Sequence, residues 1–232
     1  MMWTDGDGVL TVTREGMVMP FGPVDRDDAM ARVLAGREII GIIGERNVAR
    51  AVQRAAGLEQ APATLDVDEP QFNLSLAALK VPKGRGELIR LADAPRDIME
   101  DWRVAYEVEA LGATGTMARV RGANALDDYI AADSHRVLVV DGAPVCMAGF
   151  NAVLPDIVQI GGVYVPPALR GRGFAGRAVA LHLAQARAAG VRRATLFASG
   201  PAAVRAYRDI GFGPVGDWTL FLLSHNTEVP HG

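Results

Sequence analysis

Val163-Tyr164-Val165-Pro166-Pro167-Ala168-Leu169-Arg170-Gly171-Arg172-Gly173-Phe174-Ala175-Gly176 is the stretch on which the reading of the fold turns. Its first three residues suit a strand. That strand must stop at Pro166-Pro167, because neither proline has an N–H to give a sheet ladder. Small residues then form a turn, and an alanine-rich run predicts a helix over residues 174–189, ended by Gly190. A strand, a glycine turn and a helix N-terminus together can hold an anion. Free N–H groups point outward, the helix dipole adds partial positive charge, and glycines let a phosphate approach the main chain. Arg170 and Arg172 add formal charge. The same turn also occurs in α/β proteins that bind no phosphate, so alone it leaves function open.

Two familiar phosphate loops are excluded. Gly171, Gly173 and Gly176 match Gly-x-Gly-x-x-Gly, but two prolines and further residues separate the strand from the first glycine. About twenty residues on, where a dinucleotide site needs an acid, stand Arg192 and Arg193. No Gly-Lys-Ser/Thr occurs, so no Walker loop is present.

A second element lies downstream. A strand over residues 194–199 is followed by Gly200-Pro201, a short helix over 202–209, and Ile210-Gly211-Phe212. The paired patterns Arg-x-x-Gly-x-Ala (Arg170, Gly173, Ala175) and Ala-x-x-x-Tyr-x-x-x-Gly-Phe (Ala203, Tyr207, Gly211, Phe212) resemble the GNAT superfamily of acyl-CoA-dependent N-acetyltransferases. The resemblance covers residues 86–223 in the order of elements. Strands are expected at residues 87–91, 136–140, 143–153, 157–165 and 214–223, with an Asp141-Gly142 hairpin turn. Helices are expected at 96–111, after Pro95, and at 126–132. The fold class implied is α/β (α+β), a mixed and mostly antiparallel sheet flanked by helices, preceded by a smaller α/β domain.

That smaller domain is expected over residues 1–80, with 81–86 a linker, 87–224 the acetyltransferase domain and 225–232 a tail. A hairpin around Glu15-Gly16, helices at 25–34 and 47–56, and strands at 38–43 and 72–79 echo the latter half of the second domain. Such an order occurs in tandem members of the superfamily. The loop equivalent to the phosphate turn, Pro20-Phe21-Gly22-Pro23-Val24, lacks the glycine spacing and is followed by Asp25, Asp27 and Asp28. This half is expected to be structural.

Composition bounds the rest. Net charge is −3, half the residues are apolar, and no apolar run approaches a membrane span. The start, with Asp5 and Asp7 and no basic region, does not read as a signal peptide, and none is expected. Cys146 is alone, so no disulfide framework exists and a cytoplasmic setting is expected. It reads as a small core residue on a strand. No Cys/His cluster suggests a metal. Residues 163–232 hold eight basic and three acidic residues, while 86–162 hold six basic and twelve acidic. A basic cofactor half facing an acidic acceptor half, or two ordinary solvated faces, both fit that division. Among the basic residues only Lys80 and Lys83 are lysines, a bias of genome composition rather than a nucleic-acid signal.

The resemblance implies a chemistry. Acetyl-CoA would pair its pantetheine arm with the main chain of Val163, Tyr164 and Val165. Its pyrophosphate would lie on Arg170, Gly171, Arg172, Gly173, Phe174, Ala175 and Gly176. Tyr207 would protonate the departing thiolate as a neutral amine attacks the thioester directly. The asparagine often found seven residues before that tyrosine is Gly200 here, leaving Ser199 as the neighbouring cofactor contact. The glutamate many members carry on the strand before the turn is also missing; that strand offers Gln159 and Tyr164. Asp156, Glu107, Glu109 and His135 are titratable groups in suitable regions. The acceptor is expected to be a small-molecule or peptide amine, shaped by loops around residues 112–124 and Asp156. No nucleic-acid or membrane partner is expected, and family members often dimerise. The alternative is an acyl-CoA-binding regulatory or scaffolding module without catalysis.

Overall fold

The computed structural model describes residues 2–4, 8–22, 27–198 and 200–230. The chain divides into two compact units, Met1–Pro70 with Gly216–Gly232, and Gln71–Val215.

The first unit contains β1 (Met2–Thr4), β2 (Val9–Val12), β3 (Met17–Phe21), α1 (Asp27–Leu34), β4 (Glu38–Glu45) and α2 (Arg46–Ala55). It also takes the first part of β5 (Ala63–Ser75) and most of β11 (Gly213–Glu228). Its strand order is β1-β2-β3-β4-β11-β5. The hairpin expected around Glu15-Gly16 is the β2–β3 pair. β3 runs parallel to β4, with α1 as the crossover. Val18, Met30, Leu34, Ile39, Ile42, Val52 and Phe221 are buried together as its core. The side chain of Glu45 caps α2 by accepting from the N–H groups of Asn47 and Val48. Of the loop compared with the phosphate turn, Pro23 and Val24 lie outside the described residues, as do Asp5, Asp7 and Asp25.

The second unit contains the end of β5, β6 (Glu87–Arg90), α3 (Arg96–Leu111), α4 (Gly115–Ala131), β7 (His135–Val140) and β8 (Ala143–Val153). Then come β9 (Ile157–Tyr164), α5 (Phe174–Ala188), β10 (Arg193–Phe197) and α6 (Gly200–Asp209). Its sheet runs β5-β10-β9-β8-β7-β6, antiparallel throughout except for β9 beside β10. β8 is covered on both faces, as strand alternation requires. Cys146 and Ala148 pack with Val179 and Leu183 of α5, while Met147 packs with Met99 and Trp102 of α3 and Leu126 of α4. Burial pushes the Cys146 thiol pKa up, as befits a core residue. The mixed, mostly antiparallel sheet flanked by helices is the expected fold class.

Several expected boundaries are corrected. Residues 71–80 belong with the second unit, and the strand expected at 72–79 is the end of β5, which starts earlier at Ala63. Asp66, Asp68, Glu69 and Pro70 hide that beginning, since acids and proline are poor strand formers. Here Asp66 and Asp68 are held by Arg50 of α2, at 2.5 and 2.8 Å. The expected tail is strand as far as Glu228. Beyond an irregularity after Leu222, Thr227 and Glu228 pair with Ile39 and Glu38, so the last strand belongs mainly to the first unit. The helix expected at 126–132 begins eleven residues sooner, at Gly115. Gly115 and Gly122 weaken its helical signal. Gly122 lets α4 meet α3 closely, since a Cβ there would stand 3.0 Å from the Val104 nitrogen. The linker region is pinned to the second unit by the Arg177 guanidinium, which donates to the carbonyls of Pro82, Arg85 and Gly86.

Candidate functional site

β9 keeps its antiparallel pairing with β8 up to Tyr164, opposite Met147. Its parallel pairing with β10 covers only Ile157, Val158 and Gln159, opposite Arg193, Ala194 and Thr195. β10 continues to Phe197 on the β5 side. The two parallel strands therefore part after Gln159, leaving main-chain groups of β9 open along one edge. A bulge at Gly162-Val163, two residues opposite Ala148 of β8, sharpens the bend, with Gly162 at φ 59°.

β9 leads into Val165 and Pro166, a single turn at Pro167–Leu169, and Arg170. Gly171 (φ 77°) and Gly173 (φ 80°) supply the left-handed steps that carry the chain into α5, where Gly173 is the N-cap. A Cβ at either would meet nothing within 4 Å, so the outside of the turn is open. The first main-chain hydrogen bond closing onto the helix is Arg177 N–H to Gly173 O at 3.1 Å. Among the described residues, no acceptor takes the N–H groups of residues 171–176. Arg172 reaches back to Ala168 O at 3.2 Å. The turn is thus a run of unpaired donors beside two arginines, a chemistry that can bind phosphate. Phe174 and Ala175 are half-buried at its base, and Gly176 is buried against α6, where a Cβ would stand 3.3 Å from Ala206 O.

That contact joins the turn to the helix of Tyr207. Tyr207 is 7% exposed in the core, its ring edge-on to Phe212 at 6.1 Å. Ser199 lies outside the described residues; Gly200 is the first residue of α6. Val163 and Val165 are half-buried, and Tyr164 is 6% exposed beside Trp102, with ring centroids 6.0 Å apart. The Tyr164 hydroxyl donates to Glu109 Oε1 at 3.1 Å. Burial first, and that carboxylate second, raise its pKa.

The titratable candidates are scattered by the fold. Asp156 pairs with Arg193 at the start of β9, the far end from the turn. Glu107 is buried against Arg103 at 2.5 Å, with the guanidinium over the rings of Tyr106 and Tyr129. His135 is buried, and desolvation pushes its pKa down to about 3. Gln159 lies where β9 is paired on both edges. Glu109 alone reaches the end of β9, where Arg170 Nη2 meets its Oε2 at 2.5 Å. The acceptor loop expected at 112–124 is mostly helix; only Gly112, Ala113 and Thr114 separate α3 from α4. A cleft of about 970 Å³ opens at the opposite end of β9, lined in part by Arg136, Phe150, Val158, His182 and Gln185, with no residue from the turn.

Sequence reasoning missed the bulge, although the glycine doublet inside a strand signals one. It also missed Arg103–Glu107, for which i,i+4 spacing was the available sign.

A family model described as the acetyltransferase (GNAT) family matches residues 96–212, just over half of the chain. Among solved structures, a GCN5-related N-acetyltransferase from Kribbella flavida superposes with a TM-score of 0.63 at 15% identity, over 97% of this chain and 90% of that one. An acetyltransferase of the GNAT family from Colwellia psychrerythraea gives 0.56 at 13% identity, over 94% and 81%. A GCN5-related N-acetyltransferase from Sphaerobacter thermophilus gives 0.55 at 16%, over 97% and 77%. At these identities the structures speak for the fold alone. Comparison with curated protein sequences finds no match.

Proposed function

The chain belongs to the GNAT acetyltransferase family, and from that premise we propose that its second unit is an N-acetyltransferase moving an acetyl group from acetyl-CoA to a primary amine of a small molecule. The observation that carries the reading is the parting of β9 and β10 after Gln159, followed by a turn whose N–H groups from 171 to 176 have no acceptor among the described residues. An extended pantetheine arm adds to the open edge of β9 like a further strand, near Val163, Tyr164 and Val165. The pyrophosphate lies on the α5 N-terminus, with Arg170 and Arg172 beside it. No helix among the described residues is long and apolar enough to cross a membrane. A reducing cytoplasm suits the single buried thiol.

The chemistry follows from these placements. The amine nitrogen attacks the thioester carbonyl, a C–N bond forms, the C–S bond breaks, and the thiolate takes a proton from the Tyr207 hydroxyl. The amine loses one proton, which restores the phenol by way of solvent. The main chain at the β9 bulge supplies donors for the developing oxyanion. A peptide amine is the other acceptor class. The alternative, acyl-CoA binding without turnover, draws on the burial of Tyr207.

Calorimetric titration with acetyl-CoA, run on the wild type and on Gly173→Glu, tests the reading. Wild-type binding is expected, with loss in the variant, since a carboxylate at φ 80° would sit in the anion turn. Release of free thiol with amines then separates the enzyme from the silent binder. A folded wild type that binds no acetyl-CoA overturns both.

A further inference from the structure

Arg170 spends its donor edge on the protein itself. Nε donates to Val165 O at 2.9 Å, Nη2 meets Glu109 Oε2 at 2.5 Å, and the guanidinium carbon lies 5.7 Å from the Tyr164 ring centroid. The Nε/Nη2 edge is the fork that a phosphate takes in bidentate fashion. One edge cannot serve both a pyrophosphate and this pair of oxygens. Both arginine and glutamate side chains are part-exposed, 48% and 41%, so they can exchange partners without repacking the core. Val165 O, moreover, stands at the end of the strand along which the pantetheine arm is placed.

Resting on the acetyl-CoA reading above, we propose that Arg170 is a latch on Glu109: donor pyrophosphate takes the guanidinium, and the released Glu109 carboxylate becomes the group that holds the acceptor's ammonium, which gives up one proton to solvent before the neutral nitrogen attacks. Once Arg170 leaves, Glu109 keeps the Tyr164 hydroxyl as its hydrogen-bond partner, and an unneutralised carboxylate stands beside the end of β9. Tyr164 fixes its position through a ring buried against Trp102. The acid missing from β9 is thereby supplied from the last turn of α3, and it is available only in the donor-loaded protein. The acceptor class this selects is a cationic amine, since a carboxylate freed of its arginine favours a positive partner.

The test is a double-mutant cycle on coenzyme A binding, measured by calorimetry at fixed ionic strength, with Glu109→Gln, Arg170→Gln and both together. Without Glu109 to compete for it, Arg170 is free for phosphate, so Glu109→Gln should bind CoA about threefold more tightly, the scale of an exposed ion pair. Arg170→Gln should weaken binding, and adding Glu109→Gln to it should change nothing further. In thiol-release assays Glu109→Gln should raise KM for the amine. A merely structural Glu109 would not tighten CoA binding. Unchanged or weaker binding in Glu109→Gln, or an equal gain in the Arg170→Gln background, overturns the latch while leaving the acetyltransferase reading intact. A wild type that fails to bind CoA overturns that reading and removes the latch with it. Glu109→Ala provides the same comparison should the glutamine variant misfold.

Discussion

The imidazole of His135 lies on the ring of Tyr129, centroids 3.6 Å apart and planes 11° from parallel. Its Nδ1 meets Ser134 Oγ at 2.9 Å, and its Nε2 is buried with no partner among the described residues. His182, stacked on Phe150 at 3.9 Å, is buried on the other face of the sheet. Desolvation is the main cause that pushes both pKa values down to about 3.

Both imidazoles are therefore neutral in the folded chain and take up a proton on unfolding below about pH 6.5. Their contribution to stability is complete above that pH and is lost progressively as pH falls towards 3. The slope is about 1.4 kcal/mol per pH unit for each histidine. The thermal midpoint should drop steadily from pH 7 to pH 5, before most carboxylates titrate. His182→Phe should remove roughly half of that dependence. A flat profile in the wild type would show the imidazoles to be solvated.

The same histidine occupies a socket that only glycines leave open. A Cβ on Gly149 would stand 2.1 Å from the His135 ring, and one on Gly162 would stand 2.4 Å from Nε2. Gly149→Ala should destabilise by about 2–3 kcal/mol, the scale of overpacking in a close-packed interior. Gly162→Ala adds left-handed strain at φ 59° and should also disturb the bulge. Urea midpoints check the first effect. Loss of acetyl-CoA turnover beyond the stability change checks the second.

Arg103 and Glu107 form a buried ion pair on α3, with Arg103 Nε and Nη1 lacking partners among the described residues. Removing one partner strands a charge, so Arg103→Met or Glu107→Gln alone should cost about 3–5 kcal/mol. Replacing both, as Arg103→Met with Glu107→Leu, should cost far less than the sum. Additive losses in chemical denaturation would mean that the two side chains act independently.

Legibility followed the physical signals. Tyr164-Val165-Pro166-Pro167 and the glycines after Arg170 announced the strand end, the turn and α5, because proline and glycine act through the local backbone. The β5 start and the β11 end stayed hidden. Their acidic and polar residues break the apolar alternation, and they are held by strands far away in sequence, β11 beside β5 and β4 beside the end of β11. The pairing of Arg170 with Glu109 joins residues 61 positions apart, and no spacing rule reaches that far. The parting of β9 from β10 is a matter of register, which residue types alone do not encode.

Tyr207 allows the last prediction. It sits on α6 beside the turn, 7% exposed, with its ring edge on Phe212. Replacing it with phenylalanine keeps the ring, its packing and the Gly176–Ala206 approach, and removes the hydroxyl alone. If that hydroxyl protonates the leaving thiolate, kcat should fall by about a hundredfold, the lower range for loss of a general acid. Acetyl-CoA affinity should stay within about twofold, because uniform binding is untouched while a transition-state interaction is lost. The effect should shrink with an acyl donor whose thiol has a low pKa, since a better leaving group needs less protonation. A packing role predicts the reverse: a lowered thermal midpoint with kcat preserved at temperatures where the variant is folded. Steady-state kinetics on both donors, beside a melting curve, separates the two.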